Sequence, residues 1–327
     1  MSTPLHTSPP QLPLSCFHCN STVQDTFWTS DNDGLGPVMG GCPSSGCPAD
    51  HSPGGYELHA ILATLSTGPV GFSDAVNQTN ATLILRTCTG HGTLLQPSKP
   101  ATAVDSTLLA AAGQERPPGH VLATYTGASV DDVWSYPVLA HQLRRAWSLR
   151  LADLWPRPTV PAVGGLRLAL RFDRGARCTH DQPAGQCVTA VTATRVDDVI
   201  VVLPKTSAIE LFSPTLLTVW PVCSSVAAWH GDATADGGWV LLGELAKFVS
   251  VSPVRFADVH CSPDGHLTFT VHGDADGPEQ LVVTVAELGG SVHALSVTVS
   301  LAHPVRIACM AHACNASGSS DQVDGAR

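Results

Sequence analysis

The chain has few basic residues, no long apolar run and none of the short motifs that carry most recognisable chemistry. Each shortage removes a class of function. Its 17 Lys and Arg are spread thinly against 27 Asp and Glu, for a net charge of −10. No basic stripe exists to neutralise a phosphate backbone, so nucleic acid is not expected as a partner. Hydrophobic residues make up 43% of the chain and mean hydropathy is +0.13. Even so, runs such as 199-VIVVLP-204 and 281-LVVTVAEL-288 fall far short of the roughly 20 residues that span a bilayer. No membrane segment is expected. An HExxH helix and a G-x-S-x-G elbow are missing. The Gly-rich runs 34-GLGPVMGG-41 and Gly164-Gly165 fit neither a phosphate loop nor a dinucleotide fingerprint. Serine-type hydrolysis and nucleotide binding are disfavoured, and no cofactor is expected. The start, 1-MSTPLHTSPPQLPLSC-16, lacks the basic and apolar regions of a signal peptide.

What is present points to an oxidising compartment. The 11 Cys include the close pairs Cys16 and Cys19, Cys42 and Cys47, Cys178 and Cys187, and Cys309 and Cys314. Asn-x-Ser/Thr acceptors stand at Asn20, Asn77, Asn80 and Asn315. Together they favour disulfides and an extracellular or secretory location, against the evidence of the N-terminus. The competing reading is a zinc site from 16-CFHC-19 and 42-CPSSGC-47, with His18 and His51 as further conceivable ligands. An odd Cys count leaves at least one thiol free or joined to another chain.

The texture changes along the chain. In 56-YELHAILATLS-66, Leu58, Ile61, Leu62 and Leu65 fall at helical spacing. Turn residues follow, then 69-PVGFS-73 as a short buried strand ending at Asp74, then a helical stretch at 80-NATLILRTC-88. That α-β-α series belongs to α/β folds. Past 113-GQERPPG-119 come eleven strand candidates, at 120–127, 166–172, 188–194, 198–204, 215–222, 239–245, 248–260, 267–273, 280–288, 292–300 and 305–311. They argue an antiparallel β-sandwich. The stretch 134–158 reads either as helix or as strand-loop-strand. The expected division is residues 1–112, a sandwich over 119–317 and a disordered tail at 318–327.

The ordered set 25-DTFWTSD-31, 61-ILATLSTGPVGFSD-74, 90-GHGTLLQPSKPATAVDS-106 and 239-WVLLGELAKFVSVSPVRF-256 resembles the C-terminal part of glycoside-hydrolase-like proteins related to the α-galactosidase and raffinose-synthase group. The resemblance covers about residues 15 to 110 well and the sandwich loosely. It implies the last βα units of a (β/α)8-type barrel followed by an antiparallel β-sandwich, and action on α-glycosidic bonds of a carbohydrate. In that mapping 25–29 is the seventh strand region and 69–74 the eighth, with Asp25, Trp28, Asp31 and Asp74 near the rim where such barrels bind substrate. The family's two catalytic aspartates come from its fourth and sixth strands. Residues 1–24 contain no Asp or Glu, so neither can be carried over and no catalytic residue is assigned. The chain is expected to be inactive as it stands. An unclosed parallel sheet would leave edges and apolar surface exposed, with poor solubility or need of a partner as the consequence.

Asp25, Trp28 and Asp74 are the candidate sugar-binding residues, the carboxylates for hydroxyls and the indole for stacking. Against this, Trp28 can be core, Asp25 a turn residue and Asp74 the N-cap of the next helix. Asp31 and Asp33 read as a solvated turn rather than a cation loop. His59 and His293 are ordinary half-buried positions. Glu244 and Lys247 could sit in a ligand groove or form a surface ion pair. A second function class stays open: a secreted, disulfide-linked carbohydrate-binding or structural β-sandwich without catalysis.

Overall fold

The computed structural model describes residue 29 and residues 55–72, 74, 76–112, 118–161, 165–173, 178–179, 182–206, 213–224, 238–310 and 312–317. Helices α1 (Gly55–Leu65), α2 (Ala81–Ile84) and α3 (Asp105–Ala111) precede most of the strands, and a single-turn α4 (Ala184–Cys187) lies among them. The strands are β1 (Thr102–Ala103), β2 (His120–Ala123), β3 (Thr126–Gly127), β4 (Val133–His141), β5 (Trp147–Arg150), β6 (Leu166–Phe172), β7 (Thr189–Ala193), β8 (Val199–Leu203), β9 (Thr215–Pro221), β10 (Trp239–Gly243), β11 (Phe256–Cys261), β12 (Leu267–Val271), β13 (Glu279–Glu287), β14 (Val292–Val299), β15 (Val305–Met310) and β16 (Ala313–Ser317).

A central sheet runs β1-β2-β4-β9-β6-β7, with β3 also on β4. Its strands alternate apolar residues to both faces, as a sheet buried on both sides requires. One face, with Tyr136, Val138, Leu170, Leu217 and Val219, packs on the β5-β8 pair through Leu149, Ile200 and Leu203. The other face is shared. Leu122, Leu139 and Leu216 take the apolar stripe of α1, including Leu58, Ile61 and Leu65, while Trp134, Ala169 and Trp220 join the core of a second unit. That unit is a β-sandwich of sheets β10-β13-β14 and β11-β12-β15-β16, with Leu281, Val283 and Val285 in one core with Phe256, Phe269, Val305 and Ile307.

The antiparallel β expectation holds, and ten of the eleven windows carry strand over most of their length. The window 248–260 is strand only from Phe256, because 244–251 turns back on itself. The ambiguous 134–158 resolves to strand-loop-strand with a 3-10 turn at Leu151–Asp153. The barrel remnant is not supported. Every ladder among the described residues is antiparallel. Helix α1 lays its stripe on an antiparallel sheet. The helix expected at 80–88 stops after one turn because its later carbonyls are taken from elsewhere: Lys247 Nζ donates to the Leu85 and Cys88 oxygens at 2.7 Å each, and Phe248 N–H to the Arg86 oxygen at 3.0 Å. The 318–327 tail lies outside the described residues.

Three disulfides are present: Cys178–Cys187 closes a loop onto α4, Cys223–Cys261 joins the end of β11 to the segment after β9, and Cys309–Cys314 links opposed residues of the β15-β16 hairpin. Two were legible as close pairs. Cys223–Cys261, between residues 38 apart, was not. Among the described residues, Cys88 is a buried free thiol. Cys16, Cys19, Cys42 and Cys47, with the zinc alternative they carry, lie outside the described residues, and among the described residues no His, Cys, Asp and Glu group has metal-binding geometry. Among those residues no helix is long and apolar enough to cross a membrane.

Candidate functional site

Strands β6 and β9 pair with Ala169 opposite Trp220 and Arg171 opposite Thr218; one step on, Asp173 N–H donates to the Leu216 oxygen at 2.8 Å. Alternation puts Ala169, Arg171 and Asp173 on one face with Leu216, Thr218 and Trp220. A polar patch therefore interrupts an apolar face, between the core under α1 and the core of the sandwich.

The loop after β10 roofs this patch. It closes where Glu244 N–H donates to the Ser250 oxygen at 2.8 Å. Gly243, at φ +75°, makes the turn possible, since a Cβ there would meet the Ser250 oxygen at 2.0 Å. Leu245, Lys247, Phe248 and Ser250 hang over the sheet. Between roof and sheet lies a small cleft of about 10 Å³, space for roughly one water-sized group.

Charge surrounds the cleft in an ordered way. Arg86 binds Glu57 of α1 at 2.8 Å, binds Asp173 at the end of β6, and lies 4.0 Å over the Phe248 ring. It thus joins helix, sheet and roof. Burial holds the Arg171 guanidinium below its ordinary pKa, with Asp173 opposing the shift and Arg86 adding to it. Behind the roof, Arg255 is 1% exposed and reaches Glu244 at 2.9 Å, the His272 oxygen at 3.0 Å and Glu279 at 2.8 Å. The two carboxylates respond differently to one cation. Burial raises Glu244 against the pull of Arg255, whereas at Glu279 burial is outweighed by the Gly90 N–H and Arg255, and its pKa falls.

Among the described residues, three buried polar atoms of the cleft's lining side chains have no hydrogen-bond partner: Arg171 Nε, Trp220 Nε1 and Ser250 Oγ. Trp220 is 1% exposed and Ser250 7%. Leaving such a group unpaired costs on the order of 1–3 kcal/mol. Two of the three can only donate, so what the cleft lacks is an acceptor. The space admits one hydroxyl-sized acceptor. Covalent chemistry is another matter, because Ser250 Oγ has no base bonded to it.

The residues singled out from sequence fare unevenly. Asp25, Trp28, Asp31, Asp33, His18 and His51 lie outside the described residues. Asp74 is a clamp. One oxygen accepts the Thr29 N–H at 2.7 Å and the other the Thr29 hydroxyl at 2.6 Å, while Thr29 Oγ1 accepts the Asn80 N–H at 2.7 Å. The N-cap expected of Asp74 falls to Asn80, whose Oδ1 takes the Leu83 N–H at 3.1 Å. Glu244 and Lys247 form no surface pair: Glu244 is buried on Arg255, and Lys247 sits on backbone carbonyls at the cleft. Sequence reasoning missed Arg171, Trp220, Ser250 and Arg255. The signal available was a charge inside an apolar strand run, as in 166-LRLALRF-172. His59 approaches a pair made by His120 and His141, directly opposite on β2 and β4 with rings stacked at 4.8 Å.

Compared with known proteins, the chain matches no protein-family model and no curated protein.

Proposed function

We propose that the chain is a glycoside-hydrolase-like, carbohydrate-binding β-sandwich protein that does not itself cut glycosidic bonds. Its relation to the α-galactosidase and raffinose-synthase group, whose full-length members act on α-glycosidic bonds, rests on the quoted motifs and not on a barrel. The observation that carries the binding role is the cleft with three unpartnered polar atoms. A single saccharide hydroxyl projecting under the roof loop is about the size of that space and accepts as well as donates, so it suits Arg171, Trp220 and Ser250 while the rest of the sugar stays outside. The commitment of buried Glu57 and Glu244 to arginines supports the non-catalytic part, since a hydrolytic pair must face one bond unencumbered.

Titration calorimetry with raffinose and with a disordered neutral polymer tests this. Raffinose is expected to bind, and Trp220→Phe, which keeps the ring and removes the N–H, to weaken it by roughly tenfold. An aryl α-galactoside should not turn over. Failure of every α-linked saccharide to bind would refute the binding role, and turnover would refute the non-catalytic one.

The same reading places the protein in the secretory pathway or outside the cell. Three disulfides support it, and Asn77 and Asn315 stand exposed as sugar acceptors. Expression in a secreting eukaryotic host, followed by peptide-N-glycosidase digestion, should give a mobility shift that Asn77→Gln with Asn315→Gln reduces.

A further inference from the structure

On the opposite face of the central sheet, Trp155 is 54% exposed although Leu154 beside it is 1% exposed and Pro156 is buried. The indole is held in place. Leu154 N–H donates to the Leu151 oxygen at 3.2 Å, and the Pro156 oxygen accepts the Tyr136 hydroxyl at 3.0 Å. Buried Tyr125 meets the indole edge-on at 5.7 Å and 70°. The ordering that a ligand would otherwise have to impose on this side chain has been met by folding.

Lys99 Nζ lies over the face of the ring, 4.9 Å from its centroid, in a cation–π contact. Its backbone is fixed as well, its carbonyl accepting the Thr124 hydroxyl at 2.5 Å, and among the described residues its ammonium pairs with no carboxylate. Exposed Arg157 follows two residues after the indole. On a chain of net charge −10 this is a local cationic spot around a flat apolar surface.

The geometry points to a second ligand site here, which takes a saccharide bearing an acid group: the apolar face of the sugar ring replaces the flexible Lys99 ammonium on the Trp155 face, and the displaced ammonium pairs with the sugar's carboxylate. A purely apolar ligand would leave the ammonium unused and desolvated. A polyanion such as nucleic acid would be repelled by the rest of the surface, whereas one acid group is not. The saccharide class rests on the carbohydrate reading above, but the site does not share the cleft, since Tyr125 and Tyr136 belong to the core on the β5-β8 side.

The probes are the methyl glycoside of galacturonic acid, which bears one carboxylate, and its methyl ester, titrated at low salt by calorimetry. The acid is expected to bind the native protein at least about tenfold tighter than the ester. Trp155→Ala should abolish binding of both, Trp155→Phe should keep most of it, and Lys99→Gln should remove the preference for the acid. These side chains are exposed, and unchanged urea midpoints would establish that the variants fold. Equal affinity of the native protein for acid and ester, or acid binding that survives Trp155→Ala, would overturn the inference. Should raffinose bind in a Trp220-dependent manner while the acid does not bind, this site alone falls. If no saccharide of any kind binds, the carbohydrate reading falls with it.

Discussion

Arg255 concentrates much of what a single residue contributes here. A guanidinium at 1% exposure is tolerable because Glu244, Glu279 and the His272 carbonyl satisfy it together, across the turn after β10, the start of β11 and β13. Arg255→Met is expected to destabilise by about 3–5 kcal/mol, because Glu244 would be left charged and buried. Arg255→Lys should recover little of it, since an ammonium cannot fork between two carboxylates. Urea midpoints check both. At Gly243 a Cβ meets the Ser250 oxygen and φ is +75°, so Gly243→Ala should cost about 2 kcal/mol and also weaken raffinose binding, because it moves the roof of the cleft.

At the scale of elements, α1 is docked on the central sheet beside three histidines. His141 is 4% exposed, and neither of its ring nitrogens has a hydrogen-bond partner among the described residues. Burial lowers its pKa to about 3, with His120 and His59 adding to the shift. Burial lowers His59 and, with Arg144, His120. Folded pKa values below the unfolded value of about 6.5 mean that the unfolded chain binds more protons in acid. The stability these residues contribute is full above about pH 6.5 and is lost as pH falls from there toward 3. Each titrating histidine contributes a slope of at most about 1.4 kcal/mol per pH unit. Urea midpoints should therefore drop between pH 7 and pH 4.5, and His141→Phe should flatten that drop. The disulfides order differently. Closing 38 residues, Cys223–Cys261 should be worth about 4 kcal/mol, against about 2 kcal/mol for Cys309–Cys314, which closes 5. Paired Cys→Ser variants compared by urea midpoint test the order.

For the whole molecule, the question is which interactions can be read locally. Strand periodicity is local. A residue two places along points the same way, so 166-LRLALRF-172 and 215-TLLTVWPV-222 announce β6 and β9 without knowledge of their neighbours. The two short-range disulfides are local in the same sense. Pairing direction is not. The helical stripe at Leu58, Ile61 and Leu65 is the same whether it covers a parallel barrel strand or the antiparallel sheet of Leu122, Leu139 and Leu216, and for that reason the barrel expectation found no support. The cleft is less legible still: Arg171 and Trp220 come from two strands that pair only in the folded sheet, and Ser250 from a loop placed over them by Gly243 and Lys247. By itself, then, the sequence determined the β-rich class, most strand positions, the acidic surface and two of the three disulfides, because each depends on spacing over a few residues. Only the tertiary structure decided the antiparallel topology, the Cys223–Cys261 link, the burial of Glu244 on Arg255 and the meeting of three unpaired polar atoms in one cleft. Hairpins aside, these are contacts between residues from about ten to about eighty positions apart, for which local pattern carries no information.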